Sequence, residues 1–167
     1  MLTRLSLAAV LAVLLMVAAC SSPQPAATSA LGVPEAALPD GATFAWLSSV
    51  TTEDVVVDPA ELLSGEAARE AAIEAGVIAE GEELPNDFFI ADPDDETFTV
   101  GVASDASYEL MLFVEGSPVA TEVSVDEVMQ ALEGSNPDVY GVADGVIPAM
   151  VTIADGRVTR ISQVYLP

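Results

Sequence analysis

The chain opens on its most uniform pattern: Arg4, then an apolar run from Leu5 to Ala19 that only Ser6 interrupts. A run of roughly 15 residues is short of the ~20 that carry a helix across a bilayer, but it has the length of the h-region of a secretory signal. Residues 1–19 therefore read as an export signal. From Ser21 to Ala30 the residues are small or polar, with Pro23 and Pro25, and Gly32, Pro34 and Pro39 continue this character to Asp40. Such a segment has little to bury and reads as a tether. Strand and helix patterns begin after it, which places one folded domain at 41–167.

Within that domain, Thr43 to Val50 and Val55 to Val57 flank a polar break and predict a β-hairpin. Asp58-Pro59-Ala60-Glu61 is a helix-start pattern, with Asp58 as cap and Pro59 at the first helical position, and predicts a short helix. A better helix is predicted from Gly65 to Ala75, with Ser64 as cap, Glu66 and Arg69 one turn apart, and Gly76 as its stop. The polar stretch 77–97 is broken by Phe88-Phe89-Ile90, which predict a short buried strand. Phe98 to Val102 and Tyr108 to Val114 predict two more strands, with Ser104-Asp105-Ala106-Ser107 as their hairpin loop.

Further along, Ser124-Val125-Asp126-Glu127 matches a capping box, and Val125, Val128, Met129 and Leu132 share one helical face. Asp126, Gln130 and Glu133 would then face water, and Gly134 would end the helix. Ile147 to Ile153 and Val158 to Leu166 flank Ala154-Asp155-Gly156-Arg157, where Asp-Gly suits the positive φ of a two-residue turn and predicts a closing hairpin. Strands and helices do not alternate regularly. The expected fold is α+β: a small, mainly antiparallel sheet or a partly open, OB-like barrel, with two to three short helices.

Where the apolar run ends, Val17-Ala18-Ala19-Cys20 resembles the lipobox of bacterial lipoproteins, in which small residues precede a cysteine that is lipidated before cleavage. Cys20 is the one cysteine in the chain, so no intrachain disulfide competes for it. The resemblance implies a signal peptide at 1–19, a lipidated Cys20 with its tether at 20–40, and a domain held at the outer face of a membrane. The formal net charge of −23 comes from 27 acids against four arginines, of which Arg4 lies in the signal. A field of that sign repels the phosphates of nucleic acid, which is excluded as a partner, and anionic lipid headgroups too. The acyl chain would therefore make the membrane contact. A base composition that avoids lysine, adaptation to salt, and a cationic or metal partner are each compatible with this acidity.

Three stretches carry a second resemblance: Val57-Asp58-Pro59-Ala60-Glu61-Leu62-Leu63-Ser64-Gly65-Glu66-Ala67-Ala68, Leu84-Pro85-Asn86-Asp87-Phe88-Phe89-Ile90, and Asp155-Gly156-Arg157-Val158-Thr159-Arg160-Ile161 running to Tyr165-Leu166-Pro167. Together they resemble uncharacterised exported lipoproteins of high-GC Gram-positive bacteria, the actinobacteria, over most of 57–167. Phe88 and Phe89 stand where tyrosines are common in those proteins, so a role for such phenols does not carry over. The resemblance implies a single exported domain with this order of elements, and implies no activity.

Residue types narrow the chemistry. The chain has no histidine, and its four basic residues are all arginine, so Ser-His-Asp, Cys-His and Ser-Lys machinery and a lysine Schiff base are absent. With Cys20 committed to lipid, zinc and iron-sulfur sites lack their usual ligands. No cofactor is called for, and no residue is assigned a catalytic role. Carboxylates remain. Asp92, Asp94, Asp95 and Glu96 place acids at the spacing of a hard-cation loop, although Thr97 stands where an EF-hand turn wants glycine and Ala103 where it wants glutamate. A glycosidase needs only two carboxylates, but spacing in sequence does not select a pair. Phe44, Trp46, Phe88, Phe89, Phe98 and Phe113 sit in apolar strand patterns and read as core, and Arg69, Arg157 and Arg160 as partners of local carboxylates. The expectation is a membrane-anchored envelope protein with a non-catalytic binding or accessory domain, its partner an envelope protein or other surface component. A Ca²⁺-binding domain and a carboxylate-based hydrolase are the rivals.

Overall fold

The computed structural model describes residues 38–166 except Asp95; Cys20, the export signal and most of the tether lie outside the described residues. Seven strands and two helices follow in the order β1 (Gly41–Val50), β2 (Asp54–Ser64), α1 (Gly65–Glu74), β3 (Phe88–Ala91), β4 (Phe98–Val114), β5 (Ser117–Val123), α2 (Val125–Leu132), β6 (Ile147–Ala154) and β7 (Arg157–Gln163). The strands form one sheet in the order β3-β2-β1-β6-β7-β4-β5, and β2 also pairs with β4, so the sheet curls back on itself and is partly closed. Every ladder is antiparallel except β4–β7. The domain is α+β and mostly antiparallel.

Side-chain alternation fills the interior. Ala45 and Leu47 of β1, Val55 and Val57 of β2, Val100, Val102 and Leu110 of β4, Val151 and Ile153 of β6, and Val158 and Ile161 of β7 form one buried cluster. Helix α2 packs on β1 and β4 and adds Val128 and Ala131 to it. Its predicted capping box is present: the Ser124 hydroxyl accepts from the Glu127 N–H, and a Glu127 carboxylate oxygen accepts from the Ser124 N–H at 2.8 Å. The Ser124 N–H, and then the Ser124 hydroxyl, which also donates to that oxygen at 2.8 Å, hold the Glu127 carboxyl below the usual carboxylate range. Asp126, Gln130 and Glu133 are exposed, as the face pattern requires.

The closing hairpin also forms as its turn residues dictate. Asp155 and Gly156 both have positive φ, 51° and 70°, and the Asp40 carboxylate accepts from both of their N–H groups. A second two-residue turn, Glu115-Gly116, joins β4 to β5, a strand that the sequence pattern did not announce.

Three expectations are corrected. Asp58-Pro59-Ala60-Glu61 starts no helix; it is the middle of β2. β2 pairs with β4 at 54–57 and with β3 at 61–64, leaving 58–60 laddered to β1 alone, and such a locally edge-like position tolerates the missing N–H of Pro59. Ser104 to Ser107 is not a hairpin loop: β4 runs straight through it as a single 17-residue strand. No residue there adopts the positive φ of a tight turn. Instead β4 carries more residues than β7 between the pairs Val102–Val158 and Ser107–Arg160, and the irregularity lets it pass from β2 to β5 as antiparallel partner. The third concerns Phe88, Phe89 and Ile90, whose strand is present but only half-buried at the sheet margin under α1. Ser64 precedes α1 as expected, yet its side chain makes no capping bond.

Candidate functional site

At the far end of β4 the strand keeps β5 on one side but loses β7 on the other. β7 ends at Gln163, while β4 continues to Val114, so the backbone groups of Met111 and Phe113 that face away from β5 need other neighbours. The buried Gln163 side chain, 3% exposed, supplies the first: its Oε1 accepts from the Met111 N–H at 2.8 Å, and its Nε2 donates to the Tyr140 carbonyl. The loop after α2 supplies the rest. Tyr140 N–H donates to the Met111 carbonyl and Phe113 N–H to the Asp138 carbonyl, each at 2.7 Å, with a bridge between Leu112 and Val139. The loop is shaped by the Asn136 carboxamide oxygen, which accepts from Asp138 N–H, and by Gly145, whose φ of 75° and 3.2 Å approach of a would-be Cβ to the Leu132 carbonyl suit no side chain.

This scaffold lines up three rings. Phe113 and Tyr140 stack with centroids 6.2 Å apart and planes 11° apart; Tyr140 and Tyr165 follow at 5.0 Å and 31°. Tyr140 lies between the other two and is half-buried, whereas Phe113 is 51% and Tyr165 40% exposed. Hydrogen bonding to Tyr140, then the electrostatic influence of its phenol, raises the Tyr165 phenol above its ordinary value. Phe113, expected in the core, is therefore corrected to the surface: it is on the face of β4 opposite Leu110 and Leu112, and its ring neighbour is Tyr140. Such a column offers apolar, quadrupolar faces at its ends with a phenolic edge beside them. Its members come from β4, a loop and the C-terminal tail; only the loop's Asn-Pro-Asp and paired glycines hinted in sequence at an ordered structure.

The residues singled out from sequence are elsewhere. Asp92, Asp94 and Glu96 are exposed between β3 and β4, Asp94 accepting from the Glu96 N–H at 3.0 Å; Asp95 lies outside the described residues. Among the described residues no group of three or more acids is arranged to hold a metal ion. A further acidic pair, Glu53 and Asp54, lies at the β1–β2 turn, where both N–H groups donate to Thr51 Oγ1. Trp46 packs edge-on against the buried Phe44 at 5.7 Å. Of the arginines, Arg160 meets Glu109 at 3.3 Å, as expected. Arg157 and Arg69 instead donate to the carbonyls of Val102 and Glu82. Arg157 thereby ties β7 to the irregular stretch of β4 beside an open cleft of about 760 Å³, lined also by Glu53, Asp54 and Asp105. Among the described residues, no helix is long and apolar enough to cross a membrane. No family model matches the chain, and no curated protein or solved structure matches it either.

Proposed function

We propose that this chain is a lipid-anchored protein of the cell envelope whose α+β domain is a non-catalytic binding module. The observation that carries the binding reading is the exposed column of Phe113, Tyr140 and Tyr165, held by a buried glutamine and a backbone-bonded loop. Half-exposed aromatic rings on a rigid support are the usual anchors of recognition surfaces, because they bury large area with little rotamer entropy to lose. The anchor reading is supported by the apolar run ending at Val17-Ala18-Ala19-Cys20 and by the resemblance to exported actinobacterial lipoproteins. A chain without histidine or lysine also lacks the common nucleophile-activating groups.

The test uses the full-length protein in its bacterial host. An alkyne-tagged palmitate should label the wild type and not Cys20→Ser; equal labelling of both would remove the anchor. A photo-crosslinking benzoylphenylalanine at Phe113 should give a discrete adduct in cells, while the same group at Val77, 62% exposed and in the loop after α1, should not. Indistinguishable adduct patterns from the two positions would remove the binding surface. Amine-directed crosslinkers are unsuitable, because the chain has no lysine.

A further inference from the structure

The identity of the partner follows from the surroundings of the column. The segments that build it, 109–119, 135–146 and 164–166, contain Glu109, Glu115, Asp138 and Asp144 and no basic residue. Glu109 is occupied by Arg160 and by the Ser162 hydroxyl, which donates to it at 2.6 Å. Glu115, Asp138 and Asp144 are exposed, and the first two are neighbours of Phe113 along the backbone: Glu115 lies in the turn two residues beyond it, and the Asp138 main-chain carbonyl accepts from its N–H. An aromatic face is electron-rich at its centre and attracts a cation placed over it. Acids beside that face add to the attraction, and the net charge of −23 steers cations toward the molecule as a whole. A neutral sugar ring would use the rings and hydrogen-bond to the acids but gain nothing from the net charge, and an anionic polymer would be repelled.

Resting on the binding-module reading above, we propose that the Phe113–Tyr140–Tyr165 column docks an arginine- or lysine-bearing polypeptide segment of a partner protein. Tyr140 contacts both neighbours and is half-buried, so Phe113 and Tyr165 are the more accessible rings. A guanidinium stacks on one of these rings while its neighbours in the partner meet Glu115 and Asp138. Arginine is favoured over lysine, because its planar, weakly hydrated group stacks on a ring and still donates laterally.

The experiment is calorimetric titration of the full-length protein in nonionic detergent with deca-arginine, with deca-lysine and with the neutral sugar chitohexaose. Phe113→Ala and Tyr165→Ala leave the formal charge near neutral pH unchanged, so they separate ring contact from diffuse attraction; circular dichroism confirms that each variant is folded. Deca-arginine should bind more tightly than deca-lysine, and each ring variant should weaken it roughly three- to tenfold. Glu115→Gln should weaken it more than Glu53→Gln, which removes the same charge from the distant β1–β2 turn. Equal affinity in the wild type and both ring variants would overturn the proposal by reducing it to a general field effect. Ring-dependent binding of chitohexaose without binding of deca-arginine would overturn the cationic partner and leave the binding module standing. If neither probe binds, the proposal falls, and the Phe113 crosslink decides the broader reading separately.

Discussion

The interior of the partly closed sheet and the aromatic column at the end of β4 are both apolar, yet they are built on opposite principles. The interior is made almost wholly of Val, Leu, Ile and Ala from five strands and α2, with Tyr108 an aromatic member of the cluster and Leu47, Leu110, Ile147 and Ile161 fully buried. Its members are there because burial removes them from water. The column consists of rings from three separate segments, two of them about half in solvent, and what keeps them together is a polar lattice under them: Gln163, Met111 and the backbone of 138–140. Hydrophobic burial fixes the first region, hydrogen-bond satisfaction the second. Rings that stay this exposed cannot be held by burial alone.

The sharpest way to break this contrast is in the interior. Leu47→Ala should cost about 2–5 kcal/mol of stability, read from the denaturant midpoint, since the fully enclosed site cannot collapse around the lost methyls. A loss below about 1 kcal/mol would mean the interior is not packed as described. Next comes the lattice. Gln163→Ala leaves the Met111 N–H and the Tyr140 carbonyl without their partner, and a cost of about 1–3 kcal/mol is expected for a buried polar group so orphaned. It should also speed hydrogen exchange at Met111, with the amides of the β1–β2 turn unchanged; uniform acceleration would show that the lattice is not a local device.

Smaller effects distinguish two serines that look alike in sequence. Ser124→Ala should cost about 1 kcal/mol, because its hydroxyl caps α2, whereas Ser64→Ala, with no capping bond to lose, should stay within about 0.5 kcal/mol. Equal losses would contradict the difference between the two caps. The smallest effect is a titration. Because the folded Tyr165 phenol is raised by its neighbour, its contribution is complete below the unfolded value of about 10 and is lost as pH rises through the higher folded value. Absorbance near alkaline pH should show one late-titrating tyrosine beyond the buried Tyr108, also raised, and Tyr140→Phe should bring it down. An unchanged titration would remove the Tyr140–Tyr165 bond.

Local chemistry determined by itself the elements whose signals close within a few residues. The Ser124–Glu127 box made α2, Asp155-Gly156 made the last hairpin, and of the three valines at 55–57 the first and third point into the core because a strand's side chains alternate. The mainly antiparallel α+β class followed from their order. Where two local readings competed, only the tertiary structure chose. Asp58-Pro59 is a good helix start, but pairing with β1 outweighed it once β3 and β4 left a gap opposite the proline. Ser104 to Ser107 is polar because the strand is exposed where it changes partners, not because it turns. Phe113 has the pattern of a core residue, and the column that claims it instead joins residues 25 to 52 positions apart, a distance over which no periodicity in a chain carries information. Contacts of that kind are set by which strand ends first, and β7 ends before β4.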